Sequence, residues 1–279
     1  MTRKRSCVIG WPVSHSRSPL IHGHWLRHYR IDGEYRREPV RPEELTSFLQ
    51  SLTEHDYAGC NVTLPHKEAA FAAVRIADHG TKRLGVVNTI FIRDNITWGT
   101  STDGEGFLAN LKAASPSWSA HGRRALVLGA GGAAHAIIGA LLDNEVSEII
   151  VVNRSRHRAE ALRDHFRGPI RVAAWSEIAG ALPGVDLLVN STSLGMTGQP
   201  PLEIDLTELP QNAFVSDVVY TPLETSLIRS ARARGNPVAP GLGMLLYQAV
   251  PGFELWFGVR PEVTRELYDL VAADIERGC

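Results

Sequence analysis

Residues 125–142 read ALVLGAGGAAHAIIGALL, and this stretch decides the fold. Ala125–Leu128 is an apolar run of strand length, Gly129, Gly131 and Ala134 fit G-x-G-x-x-G/A, and an apolar run of helical length follows. Strand, glycine turn and helix in that order form the first half of a dinucleotide-binding βαβ unit. The first glycine lets the chain turn off the strand, and the second lets backbone N–H groups approach a pyrophosphate at the helix N-terminus. The small Ala134 lets helix and strand pack closely. An isolated glycine triplet fits a plain loop equally well, so the flanking sequence decides.

A second apolar run, Glu148–Val152, follows at βαβ spacing and ends at Asn153-Arg154-Ser155 in place of an acid. An Asp or Glu there accepts hydrogen bonds from a ribose diol and repels an added phosphate. Asn153, Arg154 and Arg158 offer an amide and two guanidinium groups instead, a set that favours a 2′-phosphate and points to NADP. Arg154, Arg156 and Arg158 also suit the solvated start of a helix.

With 279 residues, 44% hydrophobic and 21% charged, the chain has room for two domains and is neither disordered nor fibrous in composition. The formal net charge of −1 and the scattered basic residues give no footprint for nucleic acid or a membrane surface. The opening MTRKRSCVIGWPVSHS has too short an apolar run for a signal-peptide core, and no run is long enough to span a bilayer. Cys7, Cys60 and Cys279 are odd in number and far apart, which fits a reduced cytoplasm better than a disulfide framework or a zinc site. Core packing and an exposed terminus are their expected roles.

Upstream of the glycine loop, short strands alternate with helices. The expected elements are strand Cys7–Gly10, helix Pro19–Tyr29, strand Glu34–Val40, helix Pro42–Leu52, strand Gly59–Thr63 and helix Lys67–Val74. Ile90–Arg93 and Thr97–Gly99 read as a hairpin turning at Asp94-Asn95, a helix opens at Asp103 and runs through Leu111, and Ala113–Gly122 reads as a loop. Downstream come strands at Leu187–Asn190 and Ala213–Val219, a possible strand start at Val238, and helices Leu245–Phe253 and Pro261–Arg277. The fold class is α/β with two domains and a cleft between them: an N-terminal substrate domain, 1–105 plus 244–279, and a Rossmann-type NADP-binding domain, 106–243.

Ligands of open parallel sheets sit beyond the carboxyl ends of the strands, so the polar residues at those ends are the candidates. Ser16-Arg17-Ser18-Pro19 precedes an amphipathic helix, with Pro19 suited to the first helical position and Ser18 to the N-cap. Two hydroxyls at a helix N-terminus suit a carboxylate, although a cap and a turn residue explain them as well. Asn61-Val62-Thr63-Leu64-Pro65-His66-Lys67 places an amide, a hydroxyl and an ammonium where a strand gives way to a helix. A cleft lysine can move a proton to or from a substrate hydroxyl when its surroundings or a neighbour assist, whereas most single lysines are surface residues. His66 is a second candidate base, or a residue that simply packs or faces solvent.

The segments GWPVSHSRSPLIH, NVTLPHKEAA, VVNTI, STDGEGF, VLGAGGAAHA, VNRSRHRAEAL, NSTSLGM, DVVYTPLET and GLGMLLYQA resemble, in order, the motifs of the shikimate dehydrogenases. The resemblance runs from about Val8 to the C-terminus. It implies hydride transfer between NADPH and 3-dehydroshikimate, giving shikimate on the route to chorismate and the aromatic amino acids. It further implies that Ser16 and Ser18, helped by Tyr220, hold the substrate carboxylate. Asn61, Thr63, Asn88, Asp103 and Gln248 would hold the ring hydroxyls, and Lys67 and Asp103 would form the catalytic pair. The cofactor would be held by Gly129, Ala130, Gly131, Gly132, Ala133, Asn153, Arg154, Ser155, Arg158, Thr192, Val218 and Gly241, with no metal.

Some positions depart from the family pattern: Ser101 precedes Thr102-Asp103 where asparagine is common, Val86-Val87 precedes Asn88, His135 replaces an arginine, and Pro240 replaces an aspartate before Gly241. They bear on substrate choice and affinity more than on reaction type. A paralogue acting on quinate or an aminated shikimate, a methylene-tetrahydrofolate dehydrogenase and a non-catalytic NADP-binding sensor are the competing readings. The serine pair before Pro19 argues against a pterin site, and Lys67 with Asp103 argues against a sensor. A monomer or homodimer acting on a small molecule is expected.

Overall fold

The computed structural model describes residues 4–278 and contains two six-stranded sheets. The expectation that Cys279 is an exposed terminus lies outside the described residues. Strands β1 (Lys4–Gly10), β2 (Gly33–Pro39), β3 (Tyr57–Val62), β4 (Arg75–Ile76), β5 (Thr89–Arg93) and β6 (Ile96–Thr100) form the first sheet, in the order β2-β1-β3-β5-β6-β4. Strand β5 runs antiparallel to both β3 and β6. The β5–β6 hairpin turns through Asp94 and Asn95, at φ 53° and 55°, the left-handed pair that a tight hairpin needs.

The second sheet holds β7 (Arg124–Leu128), β8 (Glu148–Val152), β9 (Ile170–Ala173), β10 (Leu187–Asn190), β11 (Phe214–Asp217) and β12 (Val238–Ala239), ordered β12-β11-β10-β7-β8-β9. Every neighbouring pair in it is parallel. Read from β9, the order is that of a doubly wound dinucleotide-binding sheet, with the reversal beside β7. Such a sheet is covered on both faces, so its strands are apolar at successive positions. Ala125, Val127, Ile149 and Val151 enter one core cluster, and Leu126, Leu128, Ile150 and Val152 enter the other. A pleat of period two sends neighbours to opposite faces, which explains the split.

The chain divides into two compact units: up to Asp103 with Gln248–Val271, and Gly104–Tyr247 with the residues from Ala272. Several expected boundaries move. Pro42–Leu52 splits into a 3₁₀ turn, Pro42–Glu44, and a helix, Leu45–Ser51. The helix from Asp103 continues to Ala114, into the expected loop. Gly241–Phe257 is a single helix carried through Pro251, and the last helix starts only at Arg265. Strands β4 and β9 and the helix His79–Leu84 are too short to announce themselves by periodicity, and the amphipathic helix Ser226–Ala233, with Leu227, Ile228 and Ala231 buried on one face, is an element the sequence reading did not place. Ser18 is not the N-cap: Arg17 holds that position, and the Ser16 hydroxyl accepts a 3.3 Å bond from the Ser18 amide.

One face of the first sheet packs Cys7, Ile9, Cys60, Val62 and Ile90 against Leu45, Leu49 and Ala70. Beyond its opposite face stands an aromatic cluster in which the fully buried His22 ring stacks on Tyr35, centroids 4.0 Å apart and 11° from parallel. Trp25, Phe253 and Trp256 close around the same ring. Neither His22 ring nitrogen reaches hydrogen-bond geometry with a partner among the described residues, and burial lowers its pKa to about 3 against an opposing pull from the neighbouring Asn61. A histidine held neutral in the fold but free to charge when unfolded contributes stability above about pH 6.5 that is lost as pH falls toward about 3. His22→Phe should therefore flatten the loss of stability between about pH 6.5 and pH 4, by an amount on the order of a few kcal/mol. Denaturant unfolding across that range checks this; parallel curves for variant and parent would refute it.

Candidate active site

Lys67 opens the helix Lys67–Ala73 just past the carboxyl end of β3, and Asp103 opens the helix Asp103–Ala114 just past β6. Both strands run in the same direction, so the two helices start at the same edge of the first sheet. The Lys67 ammonium and an Asp103 carboxylate oxygen are in direct contact, with side chains 15% and 7% exposed. A pair so shielded from water needs further hydrogen bonds on its spare atoms. Asn88 Nδ2 donates to Asp103 Oδ1 at 2.8 Å and approaches Gln248 Oε1 at 3.2 Å. Thr102 N donates to Asn88 Oδ1 at 2.8 Å, and the Thr102 hydroxyl donates to the Gln248 carbonyl at 2.8 Å.

Asn61 alternates along β3 with Cys60 and Val62, so its side chain leaves the apolar face and meets the Asn88 carbonyl and the Thr89 hydroxyl, each at 3.2 Å. Thr63 is half-buried; its amide donates to the Ile9 carbonyl, and its carbonyl accepts from the His66 amide. Ser16 and Ser18 are buried after β1, and the Arg37 guanidinium clasps the Ser16 carbonyl at 2.9 and 2.7 Å. Of the expected substrate residues, all but Tyr220 belong to the first unit. Tyr220 follows β11 in the second. His66 is excluded as a base, because its ring is buried with Nε2 2.7 Å from the Val40 carbonyl.

In the second unit the glycine loop lies between β7 and the helix Gly132–Asp143. Gly129 has φ +111°, and a Cβ there would sit 2.6 Å from the Ser191 hydroxyl. Gly131 is different: an added Cβ meets nothing within 4 Å, and no side chain caps the helix that follows it. An open backbone cradle at an uncapped helix N-terminus with no acid in its first turn is what a pyrophosphate requires. At the end of β8, Asn153 Nδ2 donates to the Ser155 carbonyl at 3.0 Å, while Arg154 and Arg158 are both exposed. These residues fit a phosphorylated dinucleotide.

A buried network holds the neighbouring strand ends, and sequence reasoning missed its centre, Asp217. Asp217 accepts from Asn190 Nδ2 at 2.9 Å, the Val219 amide at 3.0 Å and the Thr225 hydroxyl at 2.7 Å. Burial pushes its carboxyl up to about 6, against the pull of those donors. Asn190 in turn accepts from Thr192 N and Oγ1 at 3.0 and 2.7 Å, which places Thr192 beside Gly129. Val218 and Gly241 also meet, since a Cβ on Gly241 would fall 2.5 Å from the Val218 carbonyl. Among the described residues no cluster of three or more His, Cys, Asp or Glu could hold a metal ion, and no helix is long and apolar enough to cross a membrane.

The two glycines should respond oppositely to alanine. Gly129→Ala should lose about 1–3 kcal/mol of stability through its strained φ, whereas Gly131→Ala should keep the parental melting temperature and lose at least about tenfold in NADPH affinity. Thermal melts and calorimetric titration check both. A Gly131→Ala protein that binds NADPH as the parent does would contradict the cradle.

Comparison with known proteins agrees with this geometry. The family descriptions that match are the shikimate dehydrogenase substrate binding domain over residues 8–90, shikimate / quinate 5-dehydrogenase over 111–197 and the shikimate 5'-dehydrogenase C-terminal domain over 241–265. The NADP(+) shikimate dehydrogenase of Methylocella silvestris is 52% identical over 273 residues, 98% of this chain and 97% of that one. Shikimate 5-dehydrogenase from Thermus thermophilus, solved with NADP(H) and shikimate, superposes with a TM-score of 0.85 at 33% identity and 99% coverage of both chains. Quinate dehydrogenase from Corynebacterium glutamicum, solved with NAD, gives 0.88 at 28% identity, covering 96% of this chain and 98% of that one. With half its residues shared with one relative over nearly the whole length, and with the motifs in the same order, the chain belongs to the shikimate dehydrogenase family.

Proposed function

We propose that this chain catalyses the reversible NADPH-dependent reduction of 3-dehydroshikimate to shikimate, in the cytoplasm, on the route to chorismate and the aromatic amino acids. The observation that carries the reading is the shielded Lys67–Asp103 pair, tied through Asn88 to Gln248 in the unit that matches the substrate-binding family. NADPH supplies the hydride. It would be held by Gly129 to Ala133 at the helix N-terminus, by Asn153, Arg154, Ser155 and Arg158 at the ribose phosphate, and by Thr192, Val218 and Gly241.

The chain's own residues bind, orient and move the proton. Ser16 and Ser18, at the first turn of the helix Ser18–His28, bind the substrate carboxylate, helped by Tyr220. Asn61, Thr63, Asn88 and Gln248 bind ring hydroxyls. During reduction the Lys67 ammonium gives its proton to the carbonyl oxygen as that oxygen gains charge, and in the reverse direction Lys67 accepts the hydroxyl proton. Asp103 keeps the lysine aimed and offsets its charge. The exposed Arg154 and the lack of an acid at the end of β8 favour NADP over the NAD of the quinate-acting neighbour.

Lys67→Ala should leave NADPH affinity within about twofold and lower kcat by about 10²–10⁴-fold, the range for loss of a general acid–base. Steady-state kinetics and cofactor titration check it; unchanged turnover would remove Lys67 from the mechanism. Arg154→Ala should narrow the ratio of kcat/KM for NADP over NAD by about tenfold or more, through loss of a charged phosphate contact. An unaltered ratio would contradict the assignment at the end of β8.

A further inference from the structure

We propose that Tyr35 is a positioning residue for substrate recognition: its phenol fixes the Asn61 amide so that Asn61 has only an acceptor lone pair left to offer a ligand. The proposal rests on the reading above, in which Asn61 faces a ring hydroxyl of shikimate.

Asn61 Nδ2 stands 3.2 Å from the Asn88 backbone carbonyl, which can only accept, so the NH₂ end of the amide must face it. The second Nδ2 hydrogen goes to the Thr89 hydroxyl at 3.2 Å. Both donors of the amide are then used. Its Oδ1 faces the Tyr35 phenol at 2.6 Å, and because that end is the carbonyl, the phenol must be the donor. The buried His22 ring also neighbours Asn61 but neither of its nitrogens reaches hydrogen-bond geometry, so one lone pair on Oδ1 remains. Asn61 therefore accepts from a ligand O–H or N–H and offers nothing to a group that only accepts.

The fold makes this orientation rigid. Tyr35 on β2 and Asn61 on β3 flank β1, paired with Ser6 and Val8 respectively, so their side chains share a face two residues apart in register. The Tyr35 ring is clamped against His22 at 4.0 Å and bordered by Trp256 at 5.8 Å, which leaves the phenol oxygen as its polar outlet. Burial pushes the Tyr35 phenol well above its ordinary pKa, with the Ser18 hydroxyl beside it in partial opposition. The phenol keeps its proton at every working pH, so the donor to Asn61 is always present.

The test is a double-mutant cycle on the full chain, read in shikimate oxidation with NADP. Tyr35→Phe should raise KM for shikimate about tenfold, as expected for one lost orienting hydrogen bond, with kcat and KM for NADP within about twofold. In an Asn61→Ala background the same substitution should change KM for shikimate by less than about twofold. Equal effects in both backgrounds, or no effect in the parent, would overturn the proposal. A second measurement needs no variant of Tyr35: shikimate analogues with fluorine in place of each non-reacting ring hydroxyl are bound to the parent protein. One of them should bind at least about tenfold more weakly than shikimate, because it cannot donate, and Asn61→Ala should erase that difference. Parental binding of both analogues would overturn the proposal even if Tyr35→Phe does not fold. A parent chain that does not oxidise shikimate at all would instead overturn the functional reading beneath it.

Discussion

Two opposite charges shielded from water constrain everything around them. Lys67 and Asp103 are shielded together, and neither could remain so alone without a large desolvation cost. The pair needs further hydrogen bonds on its spare atoms, and Asn88 provides one while being itself held by Thr102 and Gln248. Each member is delivered by a strand end or a helix start: Lys67 after β3, Asn88 before β5, Asp103 after β6. Antiparallel insertion of β5 between β3 and β6 is what puts the two helix starts at one edge with Asn88 entering between them. Topology here is part of the chemistry, because a different order would separate the lysine from its carboxylate.

The second sheet solves a different problem with similar means. Its glycine loop must leave backbone N–H groups unobstructed, so the strand ends around it are held from below by side chains. Ser191 donates to the Leu128 carbonyl, Asn190 gathers Thr192, and Asp217 ties Asn190 to Thr225 and Val219. A buried carboxylate pushed up to about 6 marks the cost of that arrangement. Its three donors mark why it persists.

The second sheet was legible because a parallel sheet covered on both faces writes itself as apolar runs, and Gly129 must be glycine where φ is +111°. The β5–β6 hairpin was legible for the same local reason, at Asp94-Asn95. Lys67 and Asp103 could be named from motif order, yet their contact is a tertiary fact between residues far apart in the chain. Asp217 and His22 lie inside two of the motif segments, DVVYTPLET and GWPVSHSRSPLIH, yet nothing local gives them a role, and Tyr35 left no signal: a lone acid at the end of an apolar strand reads as a surface turn, and a histidine on an amphipathic helix reads as its polar side. Only the assembled fold shows that three donors surround the first and four aromatic rings the second. The Ser18 cap failed because the chain enters that helix one residue earlier, leaving the Ser16 hydroxyl to bond the Ser18 amide.

Under the proposed function the Lys67–Asp103 pair moves the proton and NADPH supplies the hydride. Mixing the purified chain with NADPH and 3-dehydroshikimate, beside parallel runs with NADH and with NAD plus quinate, tests it most directly. Rapid loss of NADPH absorbance is expected with 3-dehydroshikimate, and markedly slower change in the other two. NADPH that binds but keeps its absorbance in the presence of 3-dehydroshikimate would contradict it.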